Sequence, residues 1–208
     1  MIRPGSLPGV MFGDASDGDP RRDPSAREQM AAAAGIGVDW AWMRQVHGST
    51  VVRATAPGVL GEADAVFTTV PGLPLAVGVA DCYPVVLVAE GGVGIAHAGW
   101  RGVVAEVVPQ LRAAMIAAGI APHRALIGPG IGPCCFEVGP EVAARFPGFV
   151  TTTTRGTLGV DLPAALRSQL VDLTVWESGV CTMSDVGYHS FRRDGTAQRQ
   201  AGVTWLTA

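Results

Sequence analysis

The stretch from Leu75 to Ala98 reads LAVGVADCYPVVLVAEGGVGIAHA. It holds three short apolar runs, Leu75 to Ala80, Pro84 to Ala89 and Val93 to Ala96, punctuated by Asp, Pro, Glu and Gly. Runs of this length, rich in valine and broken by turn residues, read as consecutive strands. None is long enough to span a membrane, because Asp81 and Glu90 interrupt what would otherwise be the longest apolar stretch. Immediately downstream the period changes. From Gly102 to Ala118, Val103, Val104, Val107, Leu111, Met115 and Ala118 recur at helical spacing, and Pro109 predicts a kink or a later helix start. Strands feeding a helix, with no regular βα alternation, give an α+β class.

Working outward toward the N-terminus, Trp40 to Val46, Thr50 to Ala54 and Ala65 to Thr69 are further β-rich segments. Ser25 and Glu28 have capping-box spacing before an Ala-rich run, which predicts a helix over about 26–34, preceded by a Gly/Asp/Pro loop from Gly13 to Pro24. Toward the C-terminus, Ala125 to Ile127 reads as a strand and Gly128 to Pro133 as a loop. Pro140 suits the first turn of a short helix, and Asp161 caps another that carries Leu162, Leu166 and Leu170. Val203 to Leu206 closes the chain as a strand. No fixed-period repeat or composition break divides residues 1–208, so they read as a single domain.

Composition removes whole chemistries. All 15 basic residues are arginine, and the 208 residues contain neither lysine nor asparagine. Schiff-base catalysis and lysine-dependent phosphate loops are therefore excluded, as is N-glycosylation. A net charge of −3 with dispersed arginines gives no footprint for a nucleic acid. Residues Met1 to Gly5 lack the apolar core of a signal peptide, and the four cysteines are expected to be free, buried or metal-bound in a reducing cytoplasm.

Three segments carry the candidate chemistry: Gln45-Val46-His47-Gly48, Ala80-Asp81-Cys82-Tyr83-Pro84, and Ala96-His97-Ala98-Gly99-Trp100-Arg101-Gly102. Each ends an apolar β-type run on an imidazole or a thiol. Two histidines and one cysteine supply three ligands and leave a fourth tetrahedral position open, the pattern of a catalytic zinc; the competing reading is a buried thiol with two hydrogen-bonded histidines. Arg101 precedes a helix and can grip an anion bidentately, or else pair with Glu106. Asp81 is a candidate proton carrier or supporting carboxylate, with a turn-forming or histidine-orienting role as the alternative. Trp100 can stack on a base or pack on the sheet. Cys134, Cys135 and Cys181 read as buried thiols, His123 as a surface residue and His189 as structural.

Together these segments resemble the bacterial YfiH family, the multicopper polyphenol oxidoreductase or laccase-like proteins that include purine nucleoside phosphorylases. The resemblance extends through Glu62-Ala63-Asp64-Ala65, Pro71 to Val77, Ile127 to Gly132, Phe136 to Gly139 and Phe191 to Gly195. It implies a single-domain α/β/β/α sandwich, likened also to toxin deamidases, over residues 1–208. It also implies a catalytic zinc, with copper as the alternative, on His47, Cys82 and His97, and phosphorolysis of adenosine, inosine and methylthioadenosine with adenosine deamination at the side. The partners implied are a small nucleoside and phosphate, in a cytoplasmic monomer or homodimer that touches neither nucleic acid nor membrane. Two other readings are kept. One is a cysteine hydrolase or amidase using Cys82 and His97, with a role in editing peptidoglycan precursors; the other is a copper-dependent polyphenol oxidase. The chain departs from the family pattern at Met11 to Asp19, which is shorter and lacks asparagine, and at Tyr188-His189-Ser190-Phe191.

Overall fold

The computed structural model describes residues 1–5 and 9–207. Two mixed sheets stack face to face. One has five strands in the order β1 (Val10–Phe12), β13 (Gln200–Thr204), β6 (Leu75–Val79), β2 (Ala41–Arg44) and β4 (Gly58–Glu62). The other has six, in the order β12 (Thr174–Glu177), β9 (Pro122–Ile127), β7 (Tyr83–Ala89), β8 (Gly92–Ala98), β5 (Ala65–Thr68) and β3 (Val51–Arg53). The two-residue period of a strand assigns the side chains to layers. Val86, Ile95, Val66, Leu75 and Val77 fill the space between the sheets. Val85, Leu87 and Ala96 point the other way, against Val107, Leu111 and Met115. On the far side of the five-stranded sheet, Met11, Ala76 and Val203 pack with Met30, Trp40 and Trp42. The result is four layers, the α/β/β/α arrangement that the resemblance implies.

The outer layers correct two readings. Helix α1 (Pro24–Ala34) begins earlier than the Ser25/Glu28 signature predicts, because the Asp23 carboxylate caps it by accepting from the Ser25 N–H at 2.9 Å, with Pro24 in the first turn. The single helix expected from Gly102 to Ala118 is two, α2 (Trp100–Val104) and α3 (Val107–Ala117). The break falls at Glu106, which adopts φ +60°, while Pro109 sits in the first turn of α3, where no backbone donor is needed. Short helices α4 (Pro140–Ala143), α5 (Leu162–Ser168) and α6 (Phe191–Asp194) follow, with Asp161 capping α5 through the Ala164 N–H at 2.9 Å. Strands β1, β4 and β12 and the hairpin β10 (Val150–Thr152)–β11 (Leu158–Val160) lie outside the segments expected to be β. The closing strand begins earlier than expected, at Gln200. Among the described residues no helix is long and apolar enough to cross a membrane.

This topology fixes where chemistry can occur. The chain leaves the five-stranded sheet at Val79 and enters the six-stranded sheet at Tyr83, so Ala80, Asp81 and Cys82 form the crossing between layers. His47 lies just beyond β2, and His97 lies one residue before the end of β8.

Candidate metal centre

Sequence-distant residues meet at this crossing. The ligand atoms of His47, Cys82 and His97 all lie within 4.8 Å of one another. The two imidazole rings stand 4.7 Å apart at 73°, and the Cys82 Sγ is 3.9 Å from His47 Nε2. His97 is buried, Cys82 half-buried and His47 exposed, so the cluster has a closed side and an open side.

Asp64, fully buried at the start of β5, organises the cluster. Its carboxylate accepts from the backbone N–H groups of Val46 (3.1 Å), His47 (2.9 Å) and Gly48 (2.7 Å). It also bonds His97 Nδ1 at 2.8 Å. One buried carboxylate therefore holds the His47 loop and orients the His97 ring, leaving Nε2 as the free ring nitrogen. Burial opposes the charge on Asp64, but hydrogen bonds from His97 and Gly48 hold its carboxyl below the usual aspartate range. In the sequence Asp64 stands only inside the family-like segment Glu62-Ala63-Asp64-Ala65, with nothing to assign it this role.

The surrounding backbone is built for convergence. His47 and Asp81 both adopt left-handed φ, at +60° and +83°, a conformation that costs a residue with a Cβ and that clusters at functional sites. The Gln45 amide secures the end of β2 by bonding both the Gly78 C=O and N–H at 2.9 Å. Gly99 has no room for a side chain: a Cβ there would stand 2.8 Å from Cys82 Sγ and 3.1 Å from His47 Cδ2.

Asp81 proves to be differently engaged from the histidine-orienting alternative, since Asp64 fills that role. Its two oxygens accept from Thr182 Oγ1 at 2.8 Å and from the Arg192 N–H at 2.7 Å. It thus ties the layer crossing to the C-terminal segment.

Charge states follow from these contacts. Burial pushes the Cys82 thiol up, but His97 and His47 beside it more than reverse this and bring it to about 6. Burial likewise disfavours the His97 imidazolium, which Cys82 and Asp64 restore and raise to about 9. Two imidazoles and a thiolate are the donors a borderline-soft divalent cation selects, and three protein ligands leave its fourth position facing solvent, so these side chains fit a metal ion.

The open side leads into a cleft of about 450 Å³ lined by Arg21, Arg101, Arg192 and Arg199, together with Trp100, Phe136 and Phe191. Arg101 takes part in none of the ion pairs among the described residues, so the Glu106 pairing does not form; its guanidinium lies 4.4 Å over the Trp100 ring. Asp81 is the single carboxylate in the cleft lining. His123 is exposed, and His189 lies outside the cleft, its backbone N–H bonded to Gln200.

A four-layer α/β sandwich with a mixed histidine–cysteine centre opening into an arginine-lined cleft defines a class of potential metalloprotein. The chain belongs to the family described as multi-copper polyphenol oxidoreductase laccase, whose model matches residues 9–207. It is 39% identical to a purine nucleoside phosphorylase of Deinococcus radiodurans, over 98% of this chain and 83% of that protein. It is 41% identical to a purine nucleoside phosphorylase of Streptomyces coelicolor, over 94% and 87%. The crystal structure of the Bacillus licheniformis hypothetical protein YfiH superimposes with a TM-score of 0.85 at 23% identity, covering 97% of this chain and 98% of that one, a likeness of fold. Relatives that bear an enzyme's name over nearly their full length support an enzyme here.

Proposed function

We propose that this chain is a zinc-dependent purine nucleoside phosphorylase acting on adenosine, inosine and methylthioadenosine, with adenosine deamination as a side activity. The observation that carries the reading is the convergence of His47, Cys82 and His97 at the mouth of a cleft with four arginines. The names of the relatives point the same way. Residues 1–208 act as one catalytic domain, a cytoplasmic monomer or homodimer whose partners are a nucleoside and phosphate.

In phosphorolysis a phosphate oxygen bonds to the anomeric carbon as the carbon–nitrogen bond to the purine breaks, and the purine leaves with the electron pair. Little covalent help is needed from the protein; positioning and charge supply the rate. Arg101 is the first candidate to hold phosphate, because Arg192 and Arg199 already donate to backbone carbonyls while the Arg101 guanidinium rests on the Trp100 ring, and its planar fork matches two phosphate oxygens. Trp100, Phe136 and Phe191 offer apolar faces to the purine. Asp64 keeps His47 and His97 in place, and Asp81 fixes the turn that presents Cys82. His47, Cys82 and His97 would hold a zinc ion, which would supply Lewis-acid chemistry when bound.

The test is a metal analysis coupled to product detection. Zinc-loaded protein should release hypoxanthine and ribose-1-phosphate from inosine only when phosphate is present, and ammonia from adenosine. Release of neither product of inosine overturns the reading. Arg101→Gln should raise the KM for phosphate about tenfold, the loss of one charged hydrogen-bonding group.

A second reading is favoured by the low thiol pKa of Cys82 beside His97: a cysteine hydrolase or amidase, with Cys82 as nucleophile and His97 as its base. Stoichiometric zinc that is lost in Cys82→Ala supports the phosphorylase. Metal-free protein whose activity is lost to iodoacetamide supports the hydrolase. A copper oxidase fits the residues least, because four histidines in the whole chain cannot furnish a multicopper array.

A further inference from the structure

A second cluster of soft ligands uses none of the residues that line the arginine-lined cleft. The sulfurs of Cys134, Cys135 and Cys181 all lie within 4.8 Å of one another, with Cys134 and Cys135 3.4 Å apart. All three cysteines are free and half-buried. The loop from Gly128 to Pro133 brings the adjacent pair to Cys181, whose backbone forms a bridge with Gly130. Gly132 makes the approach feasible. Its N–H donates to Cys181 Sγ at 3.2 Å, and a Cβ on it would meet Cys181 Cβ at 3.2 Å and both Cys134 and Cys181 Sγ at 3.4 Å. Cys134 and Cys181 line a cavity of about 280 Å³ that opens to solvent, beside Tyr83, Asp161 and Arg167.

We propose that Cys134, Cys135 and Cys181 form a second metal site, an all-thiolate site for a soft closed-shell cation of the Zn(II), Cd(II) and Cu(I) class. Metal–sulfur bonds of about 2.3 Å in a three-ligand arrangement place the sulfurs about 4 Å apart, inside the range found here before any adjustment. The donor set contains no imidazole or carboxylate, which selects for softer ions than the His47, Cys82 and His97 set does. Binding displaces the thiol protons to solvent, and the Gly132 N–H remains to stabilise charge on Cys181. A disulfide between the adjacent Cys134 and Cys135 would be strained, and all three thiols are free. The site stands independently of the phosphorolysis reading, since it uses none of the cleft residues.

The experiment is a titration of full-length, reduced, metal-stripped protein with Cd(II), read by the ultraviolet thiolate-to-cadmium charge-transfer band and by bound metal after desalting. Wild type should bind two ions. Cys82→Ser, in which the thiol cluster is untouched, should bind one and keep most of the charge-transfer band. Cys134→Ser/Cys181→Ser should bind one and lose most of the band, with its circular dichroism unchanged. A Cys82→Ser protein that binds no Cd(II) overturns the proposal even if the double variant fails to fold. A folded double variant that still binds two ions also overturns it.

Discussion

The two clusters of soft ligands are built on opposite principles. His47, Cys82 and His97 come from both sheets, and a buried aspartate with four hydrogen bonds keeps two of them in position. Cys134, Cys135 and Cys181 are carried by loops whose backbone is tied by the Gly130–Cys181 bridge and by Thr154 and Asp185 N–H groups on the Cys134 and Cys181 carbonyls, while the Gly132 N–H reaches the Cys181 sulfur. The first is preorganised on rigid elements with one face open to a cationic cleft. The second is held through its backbone, and among the described residues no buried carboxylate bonds its ligand atoms. A rigid support costs little reorganisation when a substrate arrives; a sulfur-only set selects soft ions by its donor type.

The largest expected effect comes from removing a ligand at the supported centre. Cys82→Ala should lower both metal occupancy and phosphorolysis by roughly a hundredfold or more, measured by bound zinc and hypoxanthine release. Gly99→Ala tests whether the support is as unforgiving as it looks. The new methyl collides with the Cys82 sulfur, and a shift of about 1 Å there should cost about a hundredfold in kcat/KM. Asp64→Asn keeps the shape and removes the charge, and should weaken zinc binding by about 10- to 100-fold in a competition assay. The smallest effect is expected at the loop-borne cluster. Gly132→Ala should lower Cd(II) affinity by only a few-fold, because its closest new contact, 3.2 Å to Cys181 Cβ, is tight but less severe than the 2.8 Å that a Cβ on Gly99 would make to Cys82 Sγ. Equal losses from Gly99→Ala and Gly132→Ala would erase the contrast between the two clusters.

Much of this was legible in the residues themselves. The apolar runs from Leu75 to Ala98 are strands because valine and isoleucine at alternate positions meet two different layers, and β6, β7 and β8 fall where those runs do. The ends of the runs, where His47, Cys82 and His97 sit, could be singled out for the same reason. Asp64 escaped because its four bonds go to residues far along the chain, and nothing in Glu62-Ala63-Asp64-Ala65 marks the carboxylate as buried. The split of the long helix at Glu106 was hidden because its apolar spacing runs on through the break. Strands β10, β11 and β12 carry threonine, glycine and single apolar residues, too short for any period to show. The thiol cluster depends on a loop fold that brings Cys181 to Cys134, and loop conformation has no period to read.

The passage of the chain from one sheet to the other through Asp81 and Cys82 has a thermodynamic consequence. Ligands drawn from both layers would couple ion binding to sheet stacking, so an ion bound at that crossing would act as a rivet through the sandwich. It would stabilise the folded chain by RT ln(1 + [ion]/Kd), about 2.7 kcal/mol at a hundredfold excess over Kd. Conversely, any loosening between the layers opens the rivet first, and heat or denaturant should release the ion while the strands of each sheet are still paired.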